Sequence, residues 1–571
     1  MSNKSKGRSG NRQGIKVFSI NTTIRNPKRN TEFLKVFLPY SGKIFLHNES
    51  NSYLCDLVKY GIVKFTNVSN KIIDKWANDV PLNQAEINEL INNNPQATGE
   101  HGRVMTQLRS LKDQGFLIFD DKKISVSQLG MDLVDDGIDS TLVYTKSMIG
   151  MHAFNPSRPA MHNKSRPFLN TLFVINEVNS IWGKLGNEPK GILTHEFYTF
   201  VLSMTDCDYK KTAKEIIEYR KKFRYEKNQE YINEYLINKG MLPVSNSTLN
   251  AYYDDVFRKF EMTGLLIKHG AFNYIYINFS NYNMAKVESI LEKYKDYKFM
   301  EFENQNDYYS FLYKVEIPWE QNLTIRRKIA KAKALYLGRK LNDDISLEEE
   351  ELQLDRAFYT SALSKAIEKY DLKVLLGELM ILTGKYDKGT KFEDIGEPLR
   401  LEYLLALIIG KLYGTDGLVS NIIYNENGEP LHYAPGKRAD MILFREEGSL
   451  ILEPTMLSTR DQQLRNETTS INLHFEEENR KRENDYRVVM VAPKVHQATI
   501  DYFTYRSTRK NLKMLTLTIA KMVGLFGENN LYANFLNALD SLCEFFKENQ
   551  DDLLKCEEAI NSYLPPLNYY Q

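Results

Sequence analysis

Cysteine is scarce in this chain: four residues in 571, at Cys55, Cys207, Cys543 and Cys556, none close to another in sequence. With no C-x-x-C pair, neither a zinc site nor a disulfide framework is indicated, and all four read as reduced packing residues. Long apolar runs are missing too. Nothing approaches the ~20 apolar residues that span a bilayer, so no membrane partner is expected. Residues 1–16 are basic and polar with no apolar segment behind them, which argues against a secretory leader and for a disordered arm. The expected location is the cytoplasm. No period of roughly 20–50 residues recurs, which sets aside solenoids and propellers. Finally, neither charge sign dominates: Lys and Arg total 75 against 74 for Asp and Glu, a net charge of +1. That balance hides segregation, because residues 1–29 are basic and 347–355 acidic, so the total says nothing about a polyanionic partner.

What is present fits a water-soluble, multidomain chain. Hydrophobic residues at 42% and charged residues at 26% are ordinary for a globular protein, and the length allows about two to four domains. The abundance of Asn, Lys, Ile and Tyr suits an AT-rich, bacterial genome.

In the front half a helix–helix–hairpin order appears. Residues 83–92 read as one helix and 102–113 as a second, with Val104, Leu108 and Leu111 at helical spacing and Gly115 as its stop. Strands 116–119 and 123–126 follow around the turn Asp120-Asp121. This is the order of a winged helix, with Arg103, Gln107, Arg109 and Lys112 on its second helix. A related unit runs from Ser247, as N-cap, through Tyr252, Val256 and Phe260 to Gly264, then strands 265–268 and 274–278 about the turn His269-Gly270. Such helices enter a DNA major groove while wings touch phosphates, although winged helices also serve as protein–protein modules. Arg103, Gln107 and Arg109 are candidates for bidentate base contacts, as are Arg158 and Arg166 in segment 155–167. A basic cluster on the arm, Arg8, Arg12, Lys16, Arg25, Lys28 and Arg29, suits phosphates, and residues 210–224 form a basic helical stretch; a solvated tail and a solvated helix face read identically.

Residues 282–370 are helical and highly charged, reading as a linker. From 371 the pattern turns α/β, with an apolar helix at 399–412 and strands at 440–445, 450–456 and 486–492. The expected architecture is therefore multidomain α/β: two winged-helix-like DNA-recognition subdomains (1–140 and 141–281), a helical linker (282–370) and a C-terminal α/β domain (371–571).

The chemistry-bearing residues lie in that last domain. Asp440 opens one strand, Glu447-Gly448 turns it, and Glu453 stands thirteen residues on, along the returning strand. A hairpin of this length brings both carboxylates to one sheet end, the way a hard cation gathers oxygen ligands. Glu453 sits between Leu450-Ile451-Leu452 and Pro454-Thr455-Met456, where a charge is costly unless paired or metal-bound. Glu402, among Leu401, Leu404 and Leu405, can add a third oxygen. Residues 459–475 read as a polar helix with Glu467 and His474 two turns apart on one face. His474 suits proton transfer or phosphate binding and Glu467 the orientation of water, against the alternatives of a surface histidine and a solvated glutamate.

The run Ala434-Pro435-Gly436-Lys437-Arg438-Ala439-Asp440-Met441, followed by Leu452-Glu453-Pro454-Thr455, resembles the cleavage domain of the type IIS restriction and nicking endonucleases grouped around AlwI, PleI, MlyI and BstNBI. The spacing of Glu402, Asp440, Glu453, Glu467 and His474 is similar to that family's active-site set. Val491-Ala492-Pro493 with residues 499–503 resembles its next strand and helix, and Met262-Thr263-Gly264-Leu265-Leu266 and Gly115-Phe116 resemble its recognition subdomains. The resemblance implies a PD-(D/E)XK-type cleavage domain in which Asp440 and Glu453 bind Mg²⁺, Glu402 helps, and Glu467 and His474 complete the site; Mn²⁺ is the expected substitute. Where the general pattern has lysine this chain has Thr455, as the family's Glu-x-Thr form does, so metal charge must carry more of the load, with help from His474. Pro454 is odd for a central strand, yet its carbonyl is available as a ligand.

The expected function is an Mg²⁺-dependent endonuclease that binds a short asymmetric duplex site and cuts a short distance outside it. A single centre breaks one strand per binding event, so a double-strand break requires a second copy or a small partner subunit, and the family resembled contains dimerising cutters and strand nickases. Two alternatives stand beside this: a DNA-binding regulator with an inactive nuclease-like domain, and a structural domain in which Glu453 pairs with Arg438 or Arg445.

Overall fold

The computed structural model describes residues 15–561 apart from 22, 64, 66, 78–79, 95–99, 272–273, 343, 385–389, 393, 435–437, 458–462, 465–467, 482–484 and 511. Helices dominate, and the strands gather into a five-stranded sheet, a three-stranded sheet and two hairpins, a mixed α/β arrangement.

In the first part of the chain, helices Asn30–Phe37, His47–Lys59, Gln84–Asn92 and Glu100–Asp113 precede the antiparallel hairpin β1 (Leu117–Asp120) and β2 (Lys123–Val126). The stripe Val104, Leu108 and Leu111 is fully buried, as its spacing predicts. Gly115, at φ +86°, ends the helix because only glycine adopts that conformation without strain. The hairpin turn falls one residue later than expected, at Asp121-Lys122, since Asp120 pairs with Lys123; Asp121 takes a left-handed φ of 50°, which aspartate tolerates.

A second core surrounds helices Pro167–Lys184, Tyr209–Phe223 and Asn246–Glu261 and a sheet of order β3-β5-β4, with β3 Ile192–Leu193, β4 Leu266–Ala271 and β5 Tyr274–Phe279. Two expectations are corrected here. The N-cap of the third helix is Ser245, whose hydroxyl accepts from the Thr248 amide at 3.2 Å, rather than Ser247. His269 and Gly270 are not a turn: they lie inside β4, opposite Tyr276 and Ile275. Glycine is required there by close approach, because a Cβ would meet the Tyr274 carbonyl oxygen at 2.1 Å.

Segment 282–370 contains helices Met284–Lys293, Gln305–Tyr313, Leu323–Tyr336 and Leu347–Glu368. Gln305–Tyr313 packs on helices Gln128–Val134 and Ser140–Gly150, whereas Leu347–Glu368 packs on helix Glu397–Tyr413. Tyr282 stacks on Phe358 with ring centroids 3.8 Å apart and donates to Asp355, tying the two sides together.

The C-terminal sheet runs β12-β11-β10-β9-β6, with β6 Leu418–Ser420, β9 Met441–Leu443, β10 Ser449–Pro454, β11 Tyr486–Ala492 and β12 Lys513–Thr518. β10, β11 and β12 are parallel, and β9 is antiparallel to β10 and β6. Every residue of β10 and β11 is buried, as central parallel strands require, with helices Glu397–Tyr413, Gln497–Lys510 and Ile519–Glu528 packed against the sheet. A separate hairpin, β7 (Ile422–Tyr424) and β8 (Pro430–Tyr433), lies against helix Glu397–Tyr413.

Candidate active site

The carboxylates singled out by the sequence are set by strand register. β10 pairs Leu450 with Leu443, Ile451 with Ile442 and Leu452 with Met441. One further step places Glu453 across from Asp440, and directly opposed residues of an antiparallel pair project to the same face. On its other side, the Asn421 amide, just past β6, donates to the Asp440 carbonyl at 2.8 Å. Glu453 is 3% exposed and Asp440 only partly buried, so one carboxylate is sunk in the core and the other stands at its rim.

Pro454 costs the sheet nothing. Ser449 and Thr455 donate to the carbonyls of Asp485 and Val491, on the β11 side. By strand alternation the nitrogen of residue 454 faces the other way, where β9 begins only at Met441, opposite Leu452. The proline occupies the one position whose missing N–H has no ladder partner to lose.

His474, on helix Thr468–Lys481, is buried with Nδ1 2.9 Å from Glu453 Oε1. An ionised carboxylate only accepts, so Nδ1 carries the proton, leaving Nε2 toward the Ser470 hydroxyl at 3.3 Å. Glu467 lies outside the described residues, as do Pro435, Gly436 and Lys437. Thr455 is buried and its hydroxyl accepts from the Leu457 amide at 3.1 Å. Gln463 fixes the path beyond: its side-chain amide donates to the carbonyls of Leu457 and Lys494, both at 2.8 Å, and its oxygen accepts from the His496 amide at 3.0 Å. It thereby fastens the chain leaving β10 to the chain leaving β11.

Glu402 is buried within helix Glu397–Tyr413, which starts with a proline in its first turn and stops at Gly414, φ +83°. The helix packs on β6, β8 and β10. At the end of β8, Tyr433 is 40% exposed as a residue, with the Glu402 and Asp440 carboxylates near enough to act on its hydroxyl. Enclosure of that hydroxyl, then the charges of Glu402 and Asp440, push the phenol well above its ordinary range. Tyr433 therefore stands beside two of the predicted carboxylates. It was not legible as a site residue; the available signal was the turn Asn425-Glu426-Asn427-Gly428 between two short apolar runs, which marks a hairpin. Among the described residues no three His, Cys, Asp or Glu side chains form a ready-made metal cage.

Arg445 is engaged at the far end of the β9–β10 hairpin, donating to the Tyr413 carbonyl at 2.6 Å and to that of Gly414 at 3.2 Å, while Arg438 is exposed. Glu453 makes an ionic contact with His474.

The DNA-contact candidates divide by burial. Arg103 and Arg109 are exposed on helix Glu100–Asp113, and Arg25 is exposed with Nε 2.8 Å from Asp254. Gln107 faces the core on the same helix, at 9% exposure. Arg158 lies against Phe18 and donates to the Ser19 carbonyl, with Asp113 at 3.6 Å. Arg166 is buried, donating to the Ile149 carbonyl at 2.8 Å. Within the basic stretch, Arg220 is also internal: Nε and Nη2 grip Glu196 at 2.8 and 2.7 Å. Arg158, Arg166 and Arg220 are thus held by the fold, because each is the partner of an internal polar group or ring rather than of solvent.

Fold and site together define a mixed α/β protein whose sheet end gathers carboxylates beside a buried histidine. The chain belongs to the AlwI restriction endonuclease family, whose model matches residues 112–525. Glu402, Tyr433, Asp440, Glu453 and His474 fall inside the match; Arg103, Gln107 and Arg109 precede it. Among solved structures the chain is similar to the small subunit of the heterodimeric restriction endonuclease R.BspD6I, at 18% identity over 32% of this chain and 96% of that one, TM-score 0.27. It is also similar to the restriction endonuclease FokI, at 10% identity over 92% of this chain and 98% of that one, TM-score 0.23. No curated protein matches it. No helix among the described residues is long and apolar enough to cross a membrane. DNA is the substrate that a restriction endonuclease family implies.

Proposed function

We propose that this protein is a type IIS site-specific deoxyribonuclease of the bacterial cytoplasm, reading a short asymmetric duplex site with its front half and hydrolysing phosphodiester bonds a short distance outside it with Mg²⁺. The observation that carries the reading is the β9–β10 register, which, carried one step past Leu452–Met441, brings Asp440 opposite Glu453, with His474 on Glu453, in a member of a restriction endonuclease family.

The donor set fits a hard cation. It offers only oxygens, and Mg²⁺ is held by one or two carboxylates, completing its shell with water and substrate phosphate, so a cage of three protein ligands is not required. Asp440 and Glu453 would hold the ion, with Glu402 and the Pro454 carbonyl as further oxygens and Mn²⁺ as a substitute. When bound, Mg²⁺ supplies positive charge at the phosphate and lowers the pKa of water. The chain's own residues do the rest. His474 orients the Glu453 carboxylate through Nδ1. Glu467 is assigned to orienting the water, and Thr455, with no charge, leaves Nε2 of His474 as the nearby group able to move a proton. In the front half, the two helix-and-hairpin units act as winged helices, with Arg103 and Arg109 available to base edges and Arg25 to phosphates.

The test is a plasmid digest by purified protein with and without Mg²⁺, with the cut ends sequenced. One offset from one asymmetric sequence is expected. Asp440→Ala should bind that sequence and cut nothing; retained cutting would overturn the assignment, and wild-type binding without any cleavage would favour a regulator with an inactive domain.

A further inference from the structure

The hairpin β7–β8 belongs to the cleavage half, and its tip is wedged against the front half. Glu426, at the tip, accepts from the Ser280 hydroxyl at 2.7 Å, the Tyr282 amide at 2.8 Å and the Asn281 side-chain amide at 3.4 Å, all just beyond β5. The next residue, Asn427, donates to the Lys268 carbonyl of β4 at 3.3 Å. Farther along the hairpin, His432 Nε2 lies 2.8 Å from the Thr141 hydroxyl. A separate ion pair joins the same two halves: Arg258, near the end of helix Asn246–Glu261, stands 2.8 Å from Asp394.

The tip is tied equally to its own half. Lys369 donates to the Asn427 carbonyl at 2.8 Å, and the Tyr403 hydroxyl to the Gly428 carbonyl at 2.9 Å. Gly428, at φ +76°, lies so close to helix Leu347–Glu368 that a Cβ would meet the Ala362 carbonyl oxygen at 2.2 Å. At the other end of the hairpin Asn421 closes the path to the candidate metal site: its amide donates to the Asp440 carbonyl at 2.8 Å, and its own carbonyl accepts from the Ala434 amide at 3.0 Å. From Asn421 to Glu426 the chain spans on the order of 15 Å, at ~3.3 Å per residue. Asp440 is therefore one short strand away from the front half, along a path of hydrogen-bonded backbone.

We propose that this dock fixes how far from the recognised sequence the chain cuts, with Glu426 and Asp394 as the residues that determine the cut position; this rests on the type IIS reading given above. The reason is one of scale. Nucleotides follow one another every ~3.4 Å along a strand, so a cleavage centre that drifts by that much against the front half acts on the neighbouring phosphodiester. Hydrogen bonds such as those of Glu426 weaken steeply under far smaller displacements. The two anchors differ in strength. Asp394 is 65% exposed in its ion pair and contributes little by itself, whereas Glu426 is partly buried and gathers three donors on one carboxylate.

The experiment maps cut positions, nucleotide by nucleotide, on a DNA fragment carrying one site located by wild-type cleavage with Mg²⁺. Wild type is compared with Glu426→Ala, Ser280→Ala and Asp394→Asn, alongside DNA affinity, thermal midpoint and hydrogen exchange of residues 425–429. Wild type should cut each strand it cuts at a single position outside the site. Glu426→Ala should bind the site as wild type does and exchange faster at 425–429. Its cuts should spread over phosphodiesters about one to three nucleotides to either side, since ~3.4 Å of freedom moves the centre by one. Ser280→Ala and the surface change Asp394→Asn should give the same spread to a smaller degree, and these two decide the matter should Glu426→Ala fail to fold. Cuts confined to the wild-type position in the variants overturn the proposal, as does unchanged exchange in Glu426→Ala. Faster cutting at an unmoved position also overturns it, because the dock would then restrain cleavage rather than aim it. Wild-type cuts that scatter, or that fall inside the recognised sequence, overturn the type IIS reading instead.

Discussion

Nδ1 of His474 stands 2.9 Å from Oε1 of Glu453, joining helix Thr468–Lys481 to the buried strand β10. The imidazole fixes which way the carboxylate faces, as outer partners of metal-binding groups do. Replacing His474 with Ala is therefore expected to slow single-turnover cleavage by about 10- to 100-fold at unchanged DNA affinity. Asn, whose amide can donate from nearly the Nδ1 position, should recover part of the loss. An Ala variant as fast as wild type would remove His474 from the site.

The Arg220–Glu196 pair is a structural matter of a different kind. Both side chains are inside, at 1% and 0% exposure, and Arg220 adds a bond to the Gly191 carbonyl at 2.7 Å. Arg220→Met leaves Glu196 buried without its cation and should cost about 3–5 kcal/mol in denaturant unfolding. Lysine should restore little, because it has no two-pronged grip. Replacing both partners by apolar residues should cost less than removing Arg220 alone.

Acid should weaken the fold through His152. It is enclosed by Phe299, Phe302 and Phe311 and donates Nδ1–H to the Gly150 carbonyl at 2.8 Å. Burial, then the Arg166 guanidinium, lowers its pKa from 6.5 to about 3. The unfolded chain then binds this proton more readily than the folded one, so stability is lost as pH falls below 6.5 and continues to fall down to about 3. The slope for this one group is about 1.4 kcal/mol per pH unit in that window. His195 and His432 are lowered by burial as well and push the same way. Unfolding measured at pH 7 and pH 5 should show the loss, and His152→Asn should reduce it; an identical pH slope in the variant would refute the attribution.

Each chain carries one Asp440–Glu453 pair, which sets the order of products. With supercoiled plasmid in excess, open circles should accumulate first, and linear DNA should form at a rate rising more steeply than the enzyme concentration. Linear DNA appearing first, at a rate strictly proportional to enzyme, would mean that one chain cuts both strands.

Much of this architecture is written locally. The stripe Val104, Leu108 and Leu111, the wholly apolar run Leu450-Ile451-Leu452 and the hairpin length between Asp440 and Glu453 all depend on neighbours a few residues away, and all appear where their periodicity places them. Less local features misled. Gly270 looked like a turn because close approach and turning demand the same residue.

Only tertiary structure decided the fate of the polar side chains. An arginine on a basic helix reads identically whether it meets DNA, water or a buried glutamate, and Arg166 and Arg220 turn inward because their partners come from other elements. Tyr433 carries only the signature of a hairpin strand in sequence. The place of His432 beside Thr141 arises when surfaces 291 residues apart in sequence close on one another. The sequence alone determined the elements and the acidic hairpin, since these are short-range consequences of periodicity; which groups converge on that hairpin is a long-range consequence of packing.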